Sequence, residues 1–189
     1  ISHDEYTTIA KKRYKQMNIN LTGIHEHTDP IQAVKDAHAL FIGGGNTFVL
    51  LSQLYKTKIL TEIQQKVAQN MPYIGTSAGS NVACKTIKTT NDMPIMYPPS
   101  FDALNLVPFN INPHYLDPDP KSTHKGETRE TRIKEFHHYN TQYVVGLREG
   151  AGSAAVRNGQ PAHPLSSADR LQDGPPASGS GLPDNGQEQ

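Results

Sequence analysis

Short apolar runs alternate with segments of helical periodicity along the first 150 residues of the chain. Apolar residues recur at helical spacing, which predicts helices over residues 4–17, 30–37, 48–55, 58–70, 81–88 and 128–139. Continuous apolar runs predict strands over residues 21–24, 39–42, 71–74, 104–111 and 144–147. Because strand and helix alternate, the pattern predicts an α/β domain with a mostly parallel central sheet flanked by helices.

The alternation ends near Ala151, where the composition of the chain changes. Ser, Gly, Pro, Asp and Gln dominate from there to Gln189, and no window of periodic apolar residues occurs. A segment of this kind buries too little apolar surface to offset the entropy lost on ordering. We therefore expect one α/β domain over residues 1–150 and a low-complexity, disordered tail over residues 151–189.

Charge and cysteine content narrow the class of function. The chain has 18 basic and 18 acidic side chains and no long basic run, so neither nucleic acid nor an anionic membrane is an expected partner. No apolar stretch approaches the roughly 20 residues that cross a bilayer.

The only cysteine, Cys84, excludes a disulfide framework and favours the reducing cytoplasm. His25-Glu26-His27 lacks a third ligand, and a surface loop is preferred over a metal site.

The clearest chemical motif is the segment 75–79, Gly-Thr-Ser-Ala-Gly, which we call the serine elbow. It lies between a predicted strand and a predicted helix, and it matches the G-x-S-x-G pattern of a nucleophile elbow. Such a turn lifts the Ser77 hydroxyl above the sheet edge and points the N–H of Ala78 at a developing oxyanion. The alternative is a strand-to-helix turn rich in Gly and Ser that does no chemistry.

A second motif follows the strand predicted at 39–42. Residues 43–45 are three glycines, here called the glycine turn, and Asn46 and Thr47 lead from them into a helix. The stretch lacks the Gly-Lys-Ser/Thr ending of a phosphate loop, so a nucleotide site is not expected. Ligands of open α/β sheets bind at the carboxyl ends of strands, and both glycine-containing turns occupy such ends. A turn needed only for packing is the alternative.

A serine nucleophile needs a histidine base and a group that orients it. His114 ends an apolar strand, at the sheet edge where Ser77 is expected, although a loop histidine that merely caps a strand is the alternative. Two acidic residues lie at positions suitable for orienting the histidine. Asp92 follows the helix of the serine and Glu149 follows the next strand, and their positions alone do not distinguish them.

Several long stretches, in order along the chain, strongly resemble peptidase E, the α-aspartyl dipeptidase family. They are residues 41–48, 76–81, 89–94, 111–114 and 124–129, and the resemblance spans residues 3–150. It implies a serine-type dipeptidase that hydrolyses Asp-Xaa dipeptides through an acyl-enzyme. No metal or cofactor is implied, and the partner is a small dipeptide substrate.

The resemblance also implies roles for individual residues. The implied nucleophile is Ser77, the general base is His114 and the catalytic aspartate is Asp92. The implied oxyanion-hole N–H groups are those of Gly45 and Ala78. Arg129 is implied to hold the aspartyl carboxylate, and Glu149 is a possible supporting acid. Glu149 matches the glutamate that is the other candidate for third triad member. With Asp92 in the triad, Asp92→Asn is expected to harm turnover more than Glu149→Gln.

The chain also departs from the family pattern. Family members carry more sequence before the first predicted helix, and the low-complexity tail stands where their final strands are, so the sheet is expected to lack outer strands.

An inactive truncated homologue is therefore one alternative function. Another is a serine esterase of the α/β-hydrolase type, which shares the order Ser, acid, His. The short spacing from Asp92 to His114 and the glycine turn argue against the esterase. Neither the oligomeric state nor the preference for the leaving residue follows from the sequence.

Overall fold

Two pairs of parallel strands, with helices beside them, form the fold. The computed structural model describes residues 2–119, 121, 123, 125–154, 163–165 and 169–171. The helices are α1 (His3–Lys15), α2 (Pro30–Asp36), α3 (Thr47–Lys56), α4 (Ile59–Ala68), α5 (Ala78–Ala83) and α6 (Arg129–Tyr139), with a 3₁₀ turn at Ile24–Glu26. The strands are β1 (Leu40–Ile42), β2 (Tyr73–Gly75), β3 (Asn110–Pro113), β4 (Val144–Leu147), β5 (Gly152–Ala154), β6 (His163–Leu165) and β7 (Asp169–Leu171).

The strand pairing confirms the α/β class. Strands β1 and β2 run parallel, with Leu40 opposite Tyr73, and strands β3 and β4 run parallel, with Asn110 opposite Val144. Strand β7 pairs antiparallel with β4, and β5 pairs antiparallel with β6. In the described residues the parallel strands thus form two separate pairs, whereas the sequence predicted a mostly parallel central sheet.

Two predicted strands differ from the observed ones. Residues 21–24 form no strand and instead enter the 3₁₀ turn. The strand predicted over 104–111 begins only at Asn110, because the preceding residues bond to the end of α5. The N–H groups of Leu104 and Leu106 donate to the carbonyls of Val82 and Ala83 at 2.9 and 2.8 Å. These bonds replace the ladder that a strand would need.

Three short strands, β5 to β7, lie within the segment for which a disordered tail was expected. Strand β7 extends the sheet of β3 and β4, so part of this segment takes up regular structure. The remainder of the expected tail, residues 155–162, 166–168 and 172–189, lies outside the described residues. The domain boundary near residue 150 stays a prediction.

The main core lies among α3, α4 and α5. Leu51, Ile63, Val82 and Leu104 are fully or almost fully buried there, as the helical periodicity predicts. A smaller cluster under α6 contains Tyr115, Ile133 and Val144. Because α5 packs on β1, β2, β3 and α3, the core holds the serine elbow against both strand pairs.

No helix in the described part of the chain is both long enough and apolar enough to cross a membrane.

Candidate active site

The ends of four strands carry the glycine turn, Ser77, His114 and Glu149. Strand β1 runs into the glycine turn, β2 into Ser77, β3 into His114, and β4 ends two residues before Glu149. These are the carboxyl ends of parallel strands, where α/β folds place their ligands. The topology therefore brings the predicted chemistry to one side of each strand pair.

The serine elbow has the strained backbone of a nucleophile turn. Ser77 has φ 52° and ψ −113°, a conformation that residues with a side chain rarely adopt. The flanking glycines permit it. A Cβ on Gly75 would lie 2.6 Å from the carbonyl oxygen of Gly79, and a Cβ on Gly79 would lie 2.0 Å from that of Ile42. Only glycine allows these backbones to approach so closely.

Replacing Gly79 with alanine is expected to destabilise the protein by about 3 kcal/mol or more, because the added methyl group meets a backbone oxygen. Chemical denaturation followed by circular dichroism measures the effect. The matched control is Gly152→Ala, whose Cβ would meet no atom within 4 Å. Equal stabilities of the two variants would contradict the close packing described here.

Ser77 and His114 are in hydrogen-bond contact. The Oγ of Ser77 lies 3.0 Å from Nε2 of His114, and Nδ1 of His114 contacts Oε1 of Glu149. A carboxylate can only accept, so Nδ1 carries the proton and Nε2 is free to accept from the serine hydroxyl. Between them the three residues provide a nucleophile, a base and an orienting acid. The side chains of His114 and Glu149 are 51% and 77% exposed, so the site is open to solvent.

Asp92, which the family resemblance implied as the triad acid, lies elsewhere. Its Oδ2 accepts the N–H of Thr47 at 2.7 Å and the hydroxyl of Thr47 at 2.6 Å. The neighbouring Met93 carbonyl accepts from the side chain of Asn46 at 2.9 Å. Asp92 therefore anchors the start of α3, where a negative charge is favourable, and so holds the glycine turn that precedes this helix. This arrangement differs from the expectation that Asp92 orients His114.

Two backbone N–H groups are available beside the nucleophile. Among the described residues, nothing accepts a hydrogen bond from the N–H of Gly45 or of Ala78. Gly45 has φ 140°, which requires glycine, and a Cβ on Gly44 would lie 3.3 Å from the Cβ of Ser77. The glycine turn thus lies directly against the serine, as an oxyanion hole requires.

Arg129 begins α6 and is half-buried. Its Nη1 donates to Oδ1 of Asn91 at 2.6 Å. Burial lowers the pKa of the guanidinium, and the positive charge of Arg132 adds to this effect. Among the described residues Arg129 forms no ion pair, so no side chain neutralises its charge.

Two residues near the site were not recognised from the sequence as functional. Tyr6 lies in the helix predicted over residues 4–17, and its hydroxyl accepts the N–H of Gly44 at 3.2 Å. Asn91 carries no chemical motif in the sequence, and its amide oxygen accepts from Arg129. Neither contact could be predicted from a local sequence pattern, because each joins residues that are 38 positions apart.

Cys84 offers no competing nucleophile. It is fully buried directly after α5, and burial raises the pKa of its thiol to about 12. Its Sγ donates to the carbonyl of Ser80 at 3.3 Å and accepts the N–H of Ile111. A protonated, buried thiol is unreactive.

A serine in a strained elbow, hydrogen-bonded to a histidine that contacts a carboxylate, defines the serine hydrolase class of site. Comparison with known proteins refines this class, because the model of peptidase family S51 matches residues 1–161. The chain belongs to peptidase family S51.

Individual relatives agree with this family. The chain is 55% identical over 149 residues to a "Probable alpha-aspartyl dipeptidase" of Drosophila melanogaster, covering 78% of this chain and 62% of the relative. It is 50% identical over 163 residues to Peptidase E of Streptomyces coelicolor, covering 84% of this chain and 67% of the relative. The chain thus spans about two thirds of the length of these relatives.

A solved structure is similar in fold. The structure of a "Putative Peptidase E Protein" from Listeria monocytogenes superposes with a TM-score of 0.52 and 24% sequence identity. The superposition covers 75% of this chain and 64% of that chain. At this identity the likeness supports the α/β fold alone.

Proposed function

We propose that this chain is a serine-type dipeptidase acting on dipeptides with an N-terminal aspartate. The observation that carries the proposal is the 3.0 Å contact between Ser77 Oγ and His114 Nε2 in a strained elbow, in a chain of family S51. The Drosophila relative, named for α-aspartyl dipeptidase activity, supports the choice of substrate. No step needs a cofactor or metal.

In the acylation step, Ser77 Oγ attacks the peptide carbonyl carbon while His114 Nε2 takes the hydroxyl proton. The carbonyl oxygen becomes an oxyanion, which the N–H groups of Gly45 and Ala78 stabilise. The C–N bond then breaks as His114 returns its proton to the leaving amine. An aspartyl ester of Ser77 remains. Water, activated by the same histidine, attacks this ester, releases aspartate and restores the serine hydroxyl.

Glu149 is the proposed orienting acid. Its contact with His114 Nδ1 holds the imidazole in the tautomer that accepts from Ser77, and its charge stabilises the imidazolium that forms. Asp92 supports the site at a distance, because its bonds to Thr47 hold the helix that follows the glycine turn.

Arg129 is the proposed reader of the aspartyl side chain. Its charge is not neutralised by any described side chain, and it is half-buried, so a carboxylate would meet it in a partly desolvated setting. A guanidinium binds a carboxylate through two parallel hydrogen bonds, which gives direction as well as energy. A substrate with a neutral side chain in the same position could not balance the charge of Arg129.

Arg129→Met is expected to lower kcat/KM for Asp-Leu by a factor that corresponds to about 2–5 kcal/mol of transition-state stabilisation, because a desolvated charge pair is lost. Hydrolysis of a neutral activated ester such as p-nitrophenyl acetate should change little, since it uses only the serine, the histidine and the oxyanion hole. Steady-state kinetics on both substrates measures the contrast. The control is Lys134→Met, a cation on the same helix whose ammonium group pairs with Glu130 at 2.6 Å. Equal losses on both substrates would assign Arg129 to the fold.

The proposed function itself is tested with the purified chain. Release of free aspartate from Asp-Leu, compared with Asn-Leu and with p-nitrophenyl acetate, distinguishes the candidates. Turnover of Asp-Leu but not of Asn-Leu supports the dipeptidase, whether or not the activated ester is also hydrolysed. Turnover of the ester alone would favour another serine hydrolase. A chain that melts cooperatively but hydrolyses none of the three would be an inactive homologue.

We also propose a cytoplasmic location, because the described cysteine is a free, buried thiol and a small dipeptide is a substrate that the cytoplasm supplies. Fractionation of cells that express the full-length protein tests this location. Recovery in an oxidising compartment would contradict it.

A further inference from the structure

We infer that Asn91 is a positioning residue that holds the Arg129 guanidinium for a substrate carboxylate and ties it to the strand end that carries His114. The inference rests on the role proposed above for Arg129. It concerns one amide group that contacts both the predicted substrate reader and the segment bearing the predicted base.

The orientation of the Asn91 amide follows from its partners. Its Nδ2 donates to the carbonyl of Pro113 at 2.7 Å, and its Oδ1 accepts from Arg129 Nη1 at 2.6 Å. A carbonyl can only accept and a guanidinium can only donate, so the flipped amide would oppose both partners. The side chain therefore has one working orientation, with its oxygen towards Arg129.

A second buried amide holds this orientation in place. Asn112 Nδ2 donates to Oδ1 of Asn91 at 2.8 Å and to the carbonyl of Thr89 at 2.9 Å. Asn112 is only 5% exposed and belongs to β3, which makes it a rigid support. Oδ1 of Asn91 is thus shared between a fixed amide and the guanidinium, so the guanidinium is fixed relative to the strand.

The chemistry of the acceptor matters because Asn91 is neutral. An asparagine oxygen can hold Nη1 without cancelling the charge of Arg129, whereas an aspartate would form an ion pair with it. A neutral anchor therefore leaves the full positive charge for a ligand, and the adjacent charge of Arg132 strengthens the attraction for an anion.

The same amide connects the two functions of the site. Pro113, whose carbonyl Asn91 binds, directly precedes His114, and His114 has the strained φ of 55°. The distance between the cation and the base is therefore set through one side chain and two hydrogen bonds. An enzyme that reads the first residue of a dipeptide needs this distance fixed, because small misplacements of a bound group cost large factors in rate.

The test uses Asn91→Asp and Asn91→Ala. Asn91→Asp keeps the acceptor for Arg129 and Asn112 but neutralises the cation and loses the donor to Pro113. Asn91→Ala leaves the charge and removes its anchor, and it also serves if Asn91→Asp fails to fold. The control is Asn140→Asp, the same change at the other end of α6, where the side chain accepts from Lys88 at 3.0 Å. Thermal melts accompany every variant.

Two readouts are taken on each protein. Calorimetry measures binding of L-aspartate and L-asparagine, and kinetics gives kcat and KM for Asp-Leu and for p-nitrophenyl acetate. In Asn91→Asp, the ratio of the affinities for L-aspartate and L-asparagine should fall at least about tenfold, and KM for Asp-Leu should rise by a similar factor. Ester hydrolysis should change by less than about threefold, since the serine and histidine stay in place. Asn91→Ala should show a smaller loss of the same kind, and Asn140→Asp none.

The inference is overturned if the Asn91 variants keep the preference for aspartate, if they lose both substrates equally, or if the unmodified protein does not prefer aspartate over asparagine. Failure of the proposed function has a different signature. In that case aspartate binding persists and responds to Asn91 while Asp-Leu is not hydrolysed.

Discussion

Ser77→Ala is expected to lower kcat for Asp-Leu by about 10⁶-fold, the scale on which serine peptidases lose turnover without their nucleophile. Alanine retains the Cβ, so the strained backbone of the elbow is unchanged and the neighbouring packing persists. Only the atom that lies 3.0 Å from His114 Nε2 is removed. Without it no acyl-enzyme forms, and the remaining oxyanion hole can assist only direct attack by water.

The measurement combines steady-state kinetics with a thermal melt. The melting temperature should stay that of the unmodified protein, which separates loss of chemistry from loss of fold. Ser52→Ala is the matched control, since the Ser52 hydroxyl donates to the carbonyl of Phe48 within α3 at 2.8 Å. Activity of Ser77→Ala near the unmodified level would rule out Ser77 as the nucleophile.

Glu149→Gln is expected to lower kcat by about 10⁴-fold, the cost of removing the acid that orients a catalytic histidine. A glutamine can turn its amide donor towards the imidazole and so favour the wrong tautomer of His114. Because Glu149 is largely exposed, the substitution should leave the melting temperature unchanged. The pairing of Glu149 with His114 Nδ1 is the reason for this expectation.

Asp92→Asn is the informative comparison. Asp92 accepts two hydrogen bonds from Thr47, which is fully buried, so an asparagine should cost about 1–3 kcal/mol of stability and a smaller part of the activity. Denaturation and kinetics on both variants distinguish the two acids. If Asp92→Asn lost turnover without losing stability while Glu149→Gln stayed active, Asp92 would be the orienting acid, as the sequence resemblance implied.

The order of elements was predictable because its signals are local. Apolar runs marked β1, β2 and β4, and helical periodicity marked α3, α4 and α6, with boundaries that agree within a few residues. The strand predicted at 104–111 failed because its first half is held by the end of α5. A short apolar run does not by itself indicate whether the segment will pair with another strand.

The predicted site residues gathered for a similar reason. Ser77, His114 and Glu149 each follow a strand, and the parallel strands β3 and β4 end on the same side, which places His114 near Glu149. Helix α5 packs on both β2 and β3 and so brings Ser77 to the same place. The positions of Asp92 and Glu149 along the chain did not distinguish the two acids, and the family resemblance implied Asp92. The choice in this structure depends on where the segment around Asp92 docks, and it docks on Thr47.

The sequence by itself determined the serine elbow, the glycine turn, the strand ends that carry His114 and Glu149, and the family, because each is written in consecutive residues. Only the tertiary structure decided that Glu149 contacts His114, that Asp92 anchors α3, and that Asn91 joins Arg129 to Pro113. These contacts connect residues 22 to 45 positions apart. Side chains that distant meet only after the core has packed, so their pairing is a property of the fold and has no local pattern.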